Sequence, residues 1–320
     1  MNIIGTDVQK AAAILRSGGI VAIPTETVYG LAANAFDAAA VARIFEVKNR
    51  PTFDPLIVHI ASADTLASVV RSVPDWAQVL SEHFWPGPLT VVLPKRQIIP
   101  DIVTAGLDTV GVRVPNHALT LELLEQLPFP LAAPSANPFG YISPTSAQHV
   151  ADQLADTVDY ILDGGECRVG VESTIVGELE GRSSVFRLGG VALEQLEPYL
   201  GTLDVRPGSD SLPVGPGMLA SHYAPHKSVV IAAPPTNCDS RTGYLGFSAT
   251  SPYLPPENQR ILSEKADLRE AARAVFAALR ELDQLDVDVI YAELVPERGL
   301  GRAINDRLRR ASADRVAESS

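Results

Sequence analysis

Residues 20–31 read Ile-Val-Ala-Ile-Pro-Thr-Glu-Thr-Val-Tyr-Gly-Leu. The four apolar residues that open this stretch predict a short buried strand, which Pro24 ends. A helix is predicted before the strand, because residues 6–9, Thr-Asp-Val-Gln, have the spacing of a capping box. A second helix is predicted after it, from Asp37 to about Asn49. This alternation of helices with a buried strand indicates an α/β layered fold.

The same alternation continues along the chain of 320 residues, which is long enough for two domains. Further strands are predicted at 56–60, 89–93, 110–114, 131–133, 160–162, 173–176, 185–188, 229–232, 243–247 and 289–294. Further helices are predicted at 63–72, 75–84, 117–127, 145–155, 192–199, 267–284 and 301–312. Proline and glycine crowd together after Gly201 and predict a linker. We therefore expect a first domain at 1–200, a linker at 201–226 and a small α/β domain at 227–320. The linker is also a candidate lid over a ligand site in the first domain.

Composition excludes several classes of protein. Hydrophobic residues make up 46% of the chain and charged residues 20%, as expected for folded cores. Apolar runs are too short to span a membrane, and charges among the first twenty residues interrupt any signal-peptide core. The two cysteines, Cys167 and Cys238, are too far apart for a Cys-x-x-Cys motif and favour a reducing, cytoplasmic location. A net charge of −12 disfavours a protein that coats nucleic acid.

Four arginines lie on the last predicted helix: Arg302, Arg307, Arg309 and Arg310. Basic residues on a terminal helix most often form a solvated face. We adopt that interpretation for this helix.

Several familiar motifs are missing or incomplete. The sequence lacks a Walker-type phosphate loop, and the glycines of residues 215–220 are typical of a linker because Pro216 interrupts them. His222 and His226 have a spacing that could suit a metal, yet they flank Pro225 and no nearby Cys or third His completes a site. We therefore assign no metal to protein ligands.

Polar residues follow the first buried strand and point to a ligand site. Thr25, Glu26, Thr27 and Tyr29 provide hydroxyls and a carboxylate at the strand's carboxyl end, where open α/β sheets usually bind ligands. The alternative is an ordinary capped turn.

Two cations end the second predicted helix. Lys48 lies at the end of that helix's buried face, and Arg50 follows it directly before a proline. Two neighbouring cations suit a polyphosphate, although a solvated helix end is the alternative.

Other strands carry polar residues that need partners. His59 lies in an apolar strand, where a core histidine without a ligand is the alternative to a binding role. Ser135 and Asn137 follow another strand, and Ser135 lacks the G-x-S-x-G context of a nucleophile, which favours hydrogen bonding to a ligand. Arg113 and Arg187 lie inside apolar strands and would require buried anions as partners.

Taken together, these motifs resemble the YrdC-type threonylcarbamoyl-AMP synthases. The resemblance rests on seven segments in order: residues 24–31, 48–51, 55–59, 85–90, 111–115, 135–137 and 172–175. Residues 221–226, Ser-His-Tyr-Ala-Pro-His, resemble the linker of the family's long form, which adds a small C-terminal domain. The resemblance implies an open twisted mixed sheet with helices, followed by a small Rossmann-like α/β domain.

The resemblance also implies a reaction and its partners. L-threonine, bicarbonate or CO2, and ATP with Mg²⁺ would give threonylcarbamoyl-AMP and pyrophosphate. A separate threonylcarbamoyl transferase complex would then modify tRNA, and tRNA would contact this chain at most weakly. No membrane partner is implied.

Carried over by motif, the resemblance assigns roles to individual residues. Lys48 and Arg50 would be catalytic. Thr27, His59, Arg113 and Ser173 would bind L-threonine, with Arg113 pairing its carboxylate. The ATP site would contain Arg50, Asp54, Thr109, Ser135, Asn137, Ser143, Arg187 and Tyr223. Asp54 is a departure, because the family more often has Asn at this position.

Two alternatives of different classes stay open on the sequence alone. An RNA-binding module would use the cationic residues on a phosphate backbone, but the net charge and the lack of an aromatic stacking series disfavour it. Carbamoyl transfer in hydrogenase maturation uses YrdC-like domains as well, and the missing zinc-finger cysteines disfavour that function.

Overall fold

A computed structural model describes residues 3–206, 223–234, 236 and 240–313. The strands are β1 Ile4–Gly5, β2 Val21–Ile23, β3 Gly30–Asn34, β4 Ile57–His59, β5 Leu89–Pro94, β6 Thr109–Arg113, β7 Leu131–Ala132, β8 Tyr160–Leu162, β9 Thr174–Leu179, β10 Arg182–Arg187, β11 Asp204–Val205, β12 Ser228–Ile231, β13 Thr242–Gly246, β14 Gln259–Ile261 and β15 Val289–Ala292. The helices are α1 Val8–Arg16, α2 Ala38–Lys48, α3 Asp75–Phe84, α4 Asp101–Thr104, α5 Ala118–Gln126, α6 Ala147–Leu154, α7 Leu193–Leu200, α8 Leu268–Gln284 and α9 Gly301–Ser312, with 3-10 helices at Ala63–Ser68 and Pro256–Asn258.

The first domain is built on one open mixed sheet in the order β1-β8-β2-β3-β7-β4-β6-β5-β9-β10-β11. Strand β2 shows why this sheet is covered on both faces. Val21 and Ile23 pack in a core with α1 and α5, whereas Ile20 and Ala22 belong to the core on the side of α2, α3 and α6. Successive strand residues point to opposite faces, so an uninterrupted apolar strand has to be buried on both.

The predicted fold class is confirmed, but one helix predicted in the first domain is wrong, and β1, β3 and α4 were not predicted. Strand β3 was not expected, because Gly30-Leu31-Ala32-Ala33 has weak strand propensity. Its antiparallel pairing with β2 stabilises the extended conformation instead. The helix predicted at 63–72 is only a short 3-10 helix at Ala63–Ser68. Val69 and Val70 are buried after it, and Val70 forms a bridge with Lys95.

The second domain has a parallel sheet in the order β12-β15-β13-β14, as the predicted small α/β domain requires. Helix α8 packs against β13 and β14, and α9 packs against β12 and α8. Strand β14 was not predicted from the sequence. Among the helices in the described part of the chain, none combines the length and apolar character needed to cross a membrane.

The predicted linker is described only at its two ends. Strand β11 pairs with β10 and so extends the first sheet beyond residue 200. At the other end, the Ala224 backbone N–H donates to Gly140 O at 2.9 Å, and His226 Nδ1 lies 2.8 Å from Asp283 Oδ2 on α8. Residues 207–222, which include His222, lie outside the described residues, as does Cys238.

The predicted solvated face of α9 is wrong for two of its four arginines. The Arg307 side chain is fully buried and Arg310 is 7% exposed, whereas Arg309 is about half exposed. Arg307 donates to Glu172 and Arg302 donates to Glu194, both in the first domain. Part of α9 therefore faces the first domain, a contact that the helix's own sequence does not reveal.

Gly170 lies where the first domain meets α8. A Cβ at this position would be 2.3 Å from Arg273 Cα and 2.4 Å from Ala272 O. The backbone of Gly170 also has φ +80°, which favours glycine. Close approach of the two domains therefore depends on a residue without a side chain here.

We expect Gly170→Ala to destabilise the protein more than Gly165→Ala does. Both positions have positive φ, which costs alanine roughly 1–2 kcal/mol, but a Cβ at Gly165 would have nothing within 4 Å. The clash with α8 should add about 1–3 kcal/mol at Gly170. Thermal midpoints of the two variants provide the measurement, and equal midpoints would contradict the close packing.

Candidate active site

An open cavity lies where several strands of the first sheet end. It contains about 500 Å³ of empty space, part of it open to solvent. Its described lining comprises Thr25, Thr27, Val28, Gly30, Arg50, Ile57, His59, Arg113, Ala133, Pro134, Ser135, Glu172, Ser173, Arg187 and Tyr223. Strands β4, β6 and β10 bring His59, Arg113 and Arg187 to it with their last residues.

Arg113 is held in place by the polar loop that follows β2. Its Nη2 lies 2.6 Å from Glu26 Oε2, and its Nη1 donates to Thr27 Oγ1 at 2.9 Å. Thr25 Oγ1 lies 2.8 Å from Thr27 Oγ1 and donates to Val28 O. The loop is therefore more than a capped turn, because its carboxylate partners a buried guanidinium group at the cavity wall.

His59 is buried beside Arg113. Burial, followed by the positive charge of Arg113, lowers the pKa of His59 to about 3. Its Nδ1 lies 3.2 Å from Ile57 O. The imidazole is therefore neutral at physiological pH and lines the cavity without adding charge.

Ser173 and Arg187 form a second polar wall. Arg187 donates from Nε to Ser173 O and from Nη2 to Ser173 Oγ, both at 3.0 Å. Thr90 Oγ1 lies 2.8 Å from Ser173 Oγ on the other side. These contacts fix the Ser173 hydroxyl at the start of β9.

Arg50 lines the cavity, and its guanidinium group forms an ion pair with Asp54. Arg50 Nη2 lies 2.8 Å from Asp54 Oδ2 and donates to Pro55 O at 3.1 Å. Asp54 is fully buried behind this pair, and burial raises the pKa of its carboxyl despite the opposing effect of Arg50. The carboxyl thus faces the guanidinium group of Arg50 and does not line the cavity.

Lys48 holds a loop of the cavity wall from behind. Its side chain is 1% exposed, and Nζ donates to Ser135 O at 2.6 Å and to Asn137 O. Burial lowers the pKa of Lys48 well below its usual value, and the neighbouring charge of Arg50 adds to this effect. Lys48 therefore acts on the Ser135–Asn137 loop as a positioning residue, and its predicted contact with phosphate stays a prediction.

The structure brings eight of the predicted site residues to the cavity: Thr27, Arg50, His59, Arg113, Ser135, Ser173, Arg187 and Tyr223. The others lie elsewhere: Lys48, Asp54, Thr109, Asn137 and Ser143. Thr109 begins β6, at the opposite end of the strand from Arg113, and lines a smaller cavity that shares Ile57. Asn137 is buried and donates to Pro138 O and Tyr141 O. The roles assigned to these residues remain predictions.

Sequence reasoning missed Glu172, the carboxylate in the described lining. Ser143 Oγ donates to Glu172 Oε1 at 2.6 Å, and Arg307 Nε donates to Oε2 at 2.8 Å. Burial would raise the pKa of Glu172, but Arg307, Arg187 and the Ser143 hydroxyl together hold it below its usual value. An acidic residue directly before the polar start of β9 was the available signal.

Comparison with known proteins identifies the family. Residues 13–189 match the model of the Sua5, YciO and YrdC proteins, described as telomere recombination. Residues 191–313 match the model described as the C-terminal domain of threonylcarbamoyl-AMP synthase. The chain belongs to the family of two-domain threonylcarbamoyl-AMP synthases. It is therefore an enzyme of the nucleotidyltransferase type, and the resemblance seen in its motifs is confirmed.

Individual relatives match over nearly the whole chain. The threonylcarbamoyl-AMP synthase of Pyrococcus abyssi is 42% identical and covers 97% of this chain and 95% of its own length. The threonylcarbamoyl-AMP synthase of Bacillus subtilis is 39% identical, and the match covers 97% of this chain and 94% of the relative. The crystal structure of P. abyssi Sua5 complexed with L-threonine matches with a TM-score of 0.89 at 41% identity over 97% of both chains.

We expect the buried neutral His59 to make the protein less stable as pH falls from 7 to 5. The unfolded chain binds a proton on this residue near pH 6.5 and the folded protein only near pH 3, so protonation favours unfolding within that window. The effect should be about 2 kcal/mol at pH 5. Denaturant unfolding at both pH values should show this loss in the wild type and a smaller loss in His59→Gln. An identical pH dependence in both would show that folding does not lower the pKa of His59.

Proposed function

We propose that the cavity binds L-threonine and ATP side by side and, with bicarbonate or CO2, forms threonylcarbamoyl-AMP and pyrophosphate. The observation that supports this proposal is the convergence of three buried guanidinium groups, those of Arg50, Arg113 and Arg187, with the hydroxyls of Thr27 and Ser173. Guanidinium groups in a partly closed cavity suit carboxylate and phosphate groups.

The proposed threonine subsite contains Thr27, His59, Arg113 and Ser173. Arg113 would pair with the carboxylate of the amino acid, because its guanidinium group is already oriented by Glu26 and Thr27. The hydroxyls and the neutral imidazole would satisfy the polar groups of the substrate. A related chain, P. abyssi Sua5, has been crystallised with L-threonine.

The proposed nucleotide subsite contains Arg50, Ser135, Arg187 and Tyr223 at the cavity. Asp54 would act behind Arg50, and Asn137 and Ser143 would act through the loops that carry them, with Lys48 fixing the Ser135–Asn137 loop. Thr109 would contribute from the neighbouring cavity.

Mg²⁺ would enter with ATP, held by phosphate oxygens. Within the described ranges, His, Cys, Asp and Glu side chains do not gather in any group of three or more that could hold a metal ion. The lining carboxylate of Glu172 is already paired with Arg307. A nucleotide-borne ion that keeps several waters fits such a wall.

The proposed chemistry needs charge neutralisation and positioning. The neutral threonine amine attacks CO2 and releases one proton to solvent, which gives a carbamate. One carbamate oxygen then attacks the α-phosphorus of ATP, the bond from that phosphorus to the bridging oxygen breaks, and pyrophosphate leaves. Anions are brought together in this step, so fixed cations that require no reorganisation should supply most of the rate enhancement. Arg50 and Arg187 fill that role in the proposal.

The product would pass to a threonylcarbamoyl transferase complex that modifies tRNA, with at most weak direct contact between tRNA and this chain. We propose a cytoplasmic location for this sequence of reactions. These steps follow from the proposed product and are separate from the chemistry of the cavity.

The direct test is pyrophosphate release from ATP by the purified chain. Release should depend on both threonine and bicarbonate, and valine should be a poorer substrate because buried polar groups left unpaired cost about 1–3 kcal/mol. Threonylcarbamoyl-AMP should be identified as the second product by mass spectrometry. Pyrophosphate release that is independent of threonine would contradict the proposal.

We expect Arg113→Lys to raise the KM for threonine by about tenfold with a smaller change in kcat, since lysine keeps the charge but loses the planar fork that pairs with a carboxylate. Arg43→Lys provides the control, because Arg43 is 40% exposed and pairs with Asp159 away from the cavity. Steady-state kinetics with threonine varied provide the measurement. An unchanged KM in Arg113→Lys would remove Arg113 from the threonine subsite.

A further inference from the structure

Arg307 links the C-terminal domain directly to the cavity. It lies on α9, its side chain is fully buried, and its Nε donates to Glu172 Oε2 at 2.8 Å in the first domain. Its Nη2 also donates to Leu188 O at 2.8 Å, beyond the end of β10. On its own helix, Asp306 accepts from Nη1. The guanidinium group is therefore clamped between the two domains.

Arg307 pairs with Glu172, which provides the carboxylate among the described residues of the cavity wall. Glu172 lines the cavity next to Ser173 and near Arg187. An ionised carboxylate at this wall opposes any anionic ligand unless a cation neutralises it. Arg307 provides that cation from behind, together with the hydrogen bond from Ser143.

The same guanidinium group also contacts Tyr223, a second lining residue. The Arg307 guanidinium carbon lies 5.0 Å from the centre of the Tyr223 ring, and Phe276 of α8 stacks on that ring at 5.6 Å. Tyr223 has φ +65°, a conformation that a bulky residue adopts only where its surroundings enforce it. Two side chains of the C-terminal domain thus hold this ring at the cavity.

We propose that Arg307 is a positioning residue through which the C-terminal domain sets the affinity of the cavity for nucleotide. It does so by neutralising Glu172 and by holding Tyr223 in place. The choice of ATP as the nucleotide rests on the proposed function. The C-terminal domain completes the site without contributing a group that touches the reacting atoms.

Other ion pairs between the domains allow the role of Arg307 at the cavity to be distinguished from a general role in holding the two domains together. Arg302, one and a half turns earlier on α9, pairs with Glu194 at 2.5 Å, and Arg273 of α8 pairs with Glu166 at 2.8 Å. Neither pair involves a residue of the cavity lining. Arg302 is therefore a matched control: an arginine of the same helix in an ion pair between the same domains.

The test compares Arg307→Met, Arg307→Lys and Arg302→Met by calorimetric binding of ATP and by steady-state kinetics. Arg307→Met should weaken ATP binding by about tenfold or more, because it leaves an unpaired carboxylate at the wall. The effect should be larger on the KM for ATP than on kcat. Arg307→Lys should recover part of the affinity, and Arg302→Met should bind ATP as the wild type does.

A double variant separates charge neutralisation from folding. Glu172→Gln combined with Arg307→Met removes the carboxylate and its partner together, so ATP affinity should recover relative to Arg307→Met alone. Circular dichroism and thermal midpoints establish that each variant is folded.

Three results would overturn the proposal. These are wild-type ATP affinity in folded Arg307→Met, an equal loss of affinity in Arg302→Met, or no recovery in the double variant. If the wild-type chain binds ATP but releases no pyrophosphate with threonine, the proposed function fails. The binding measurements still decide the role of Arg307 in that case.

Discussion

A buried guanidinium group needs partners for its charge and its N–H donors, and this requirement organises the site. Arg113 is paired with Glu26, Arg50 with Asp54 and Arg307 with Glu172, and each of these six side chains is nearly or fully buried. Removing one partner would leave an uncompensated charge, so each pair fixes the element that carries it. The side-chain donors of the cavity wall are consequently oriented by resident partners.

The same pairing shapes what the cavity can bind. At Arg50 and Arg113, a ligand carboxylate or phosphate would share the guanidinium group with a resident carboxylate, which lowers the net positive charge of the wall but keeps its donors oriented. Such preorganisation suits a reaction whose barrier is dominated by bringing anions together. Lys48 contributes to the same orientation from outside the cavity, because its Nζ binds the backbone of the Ser135–Asn137 loop and so connects that loop to the end of α2.

Elements with strong local periodicity were predictable from the sequence. Helices α2, α3 and α8 and strands β5 and β8 were predicted to within a residue or two, since capping residues and apolar spacing are local signals. Strand β3 was not, because its alanines form a strand only through pairing with β2. The 3-10 helix at Ala63–Ser68 ends early because Val69 and Val70 are drawn into the core.

The sequence by itself determined the family, the α/β class and most of the cavity's polar residues, because motifs such as Pro24-Thr25-Glu26-Thr27 place them at strand ends. Only the tertiary structure decided which of these residues reach the cavity. Lys48 donates to backbone carbonyl groups behind the cavity wall, and Ser143 donates to Glu172. Nothing in the sequence distinguishes Arg307 from the exposed Arg309, and the burial of Arg307 against Glu172 follows solely from the docking of α9 on the first domain. Contacts between residues 135 positions apart carry no local signal, so no periodicity or spacing could have revealed them.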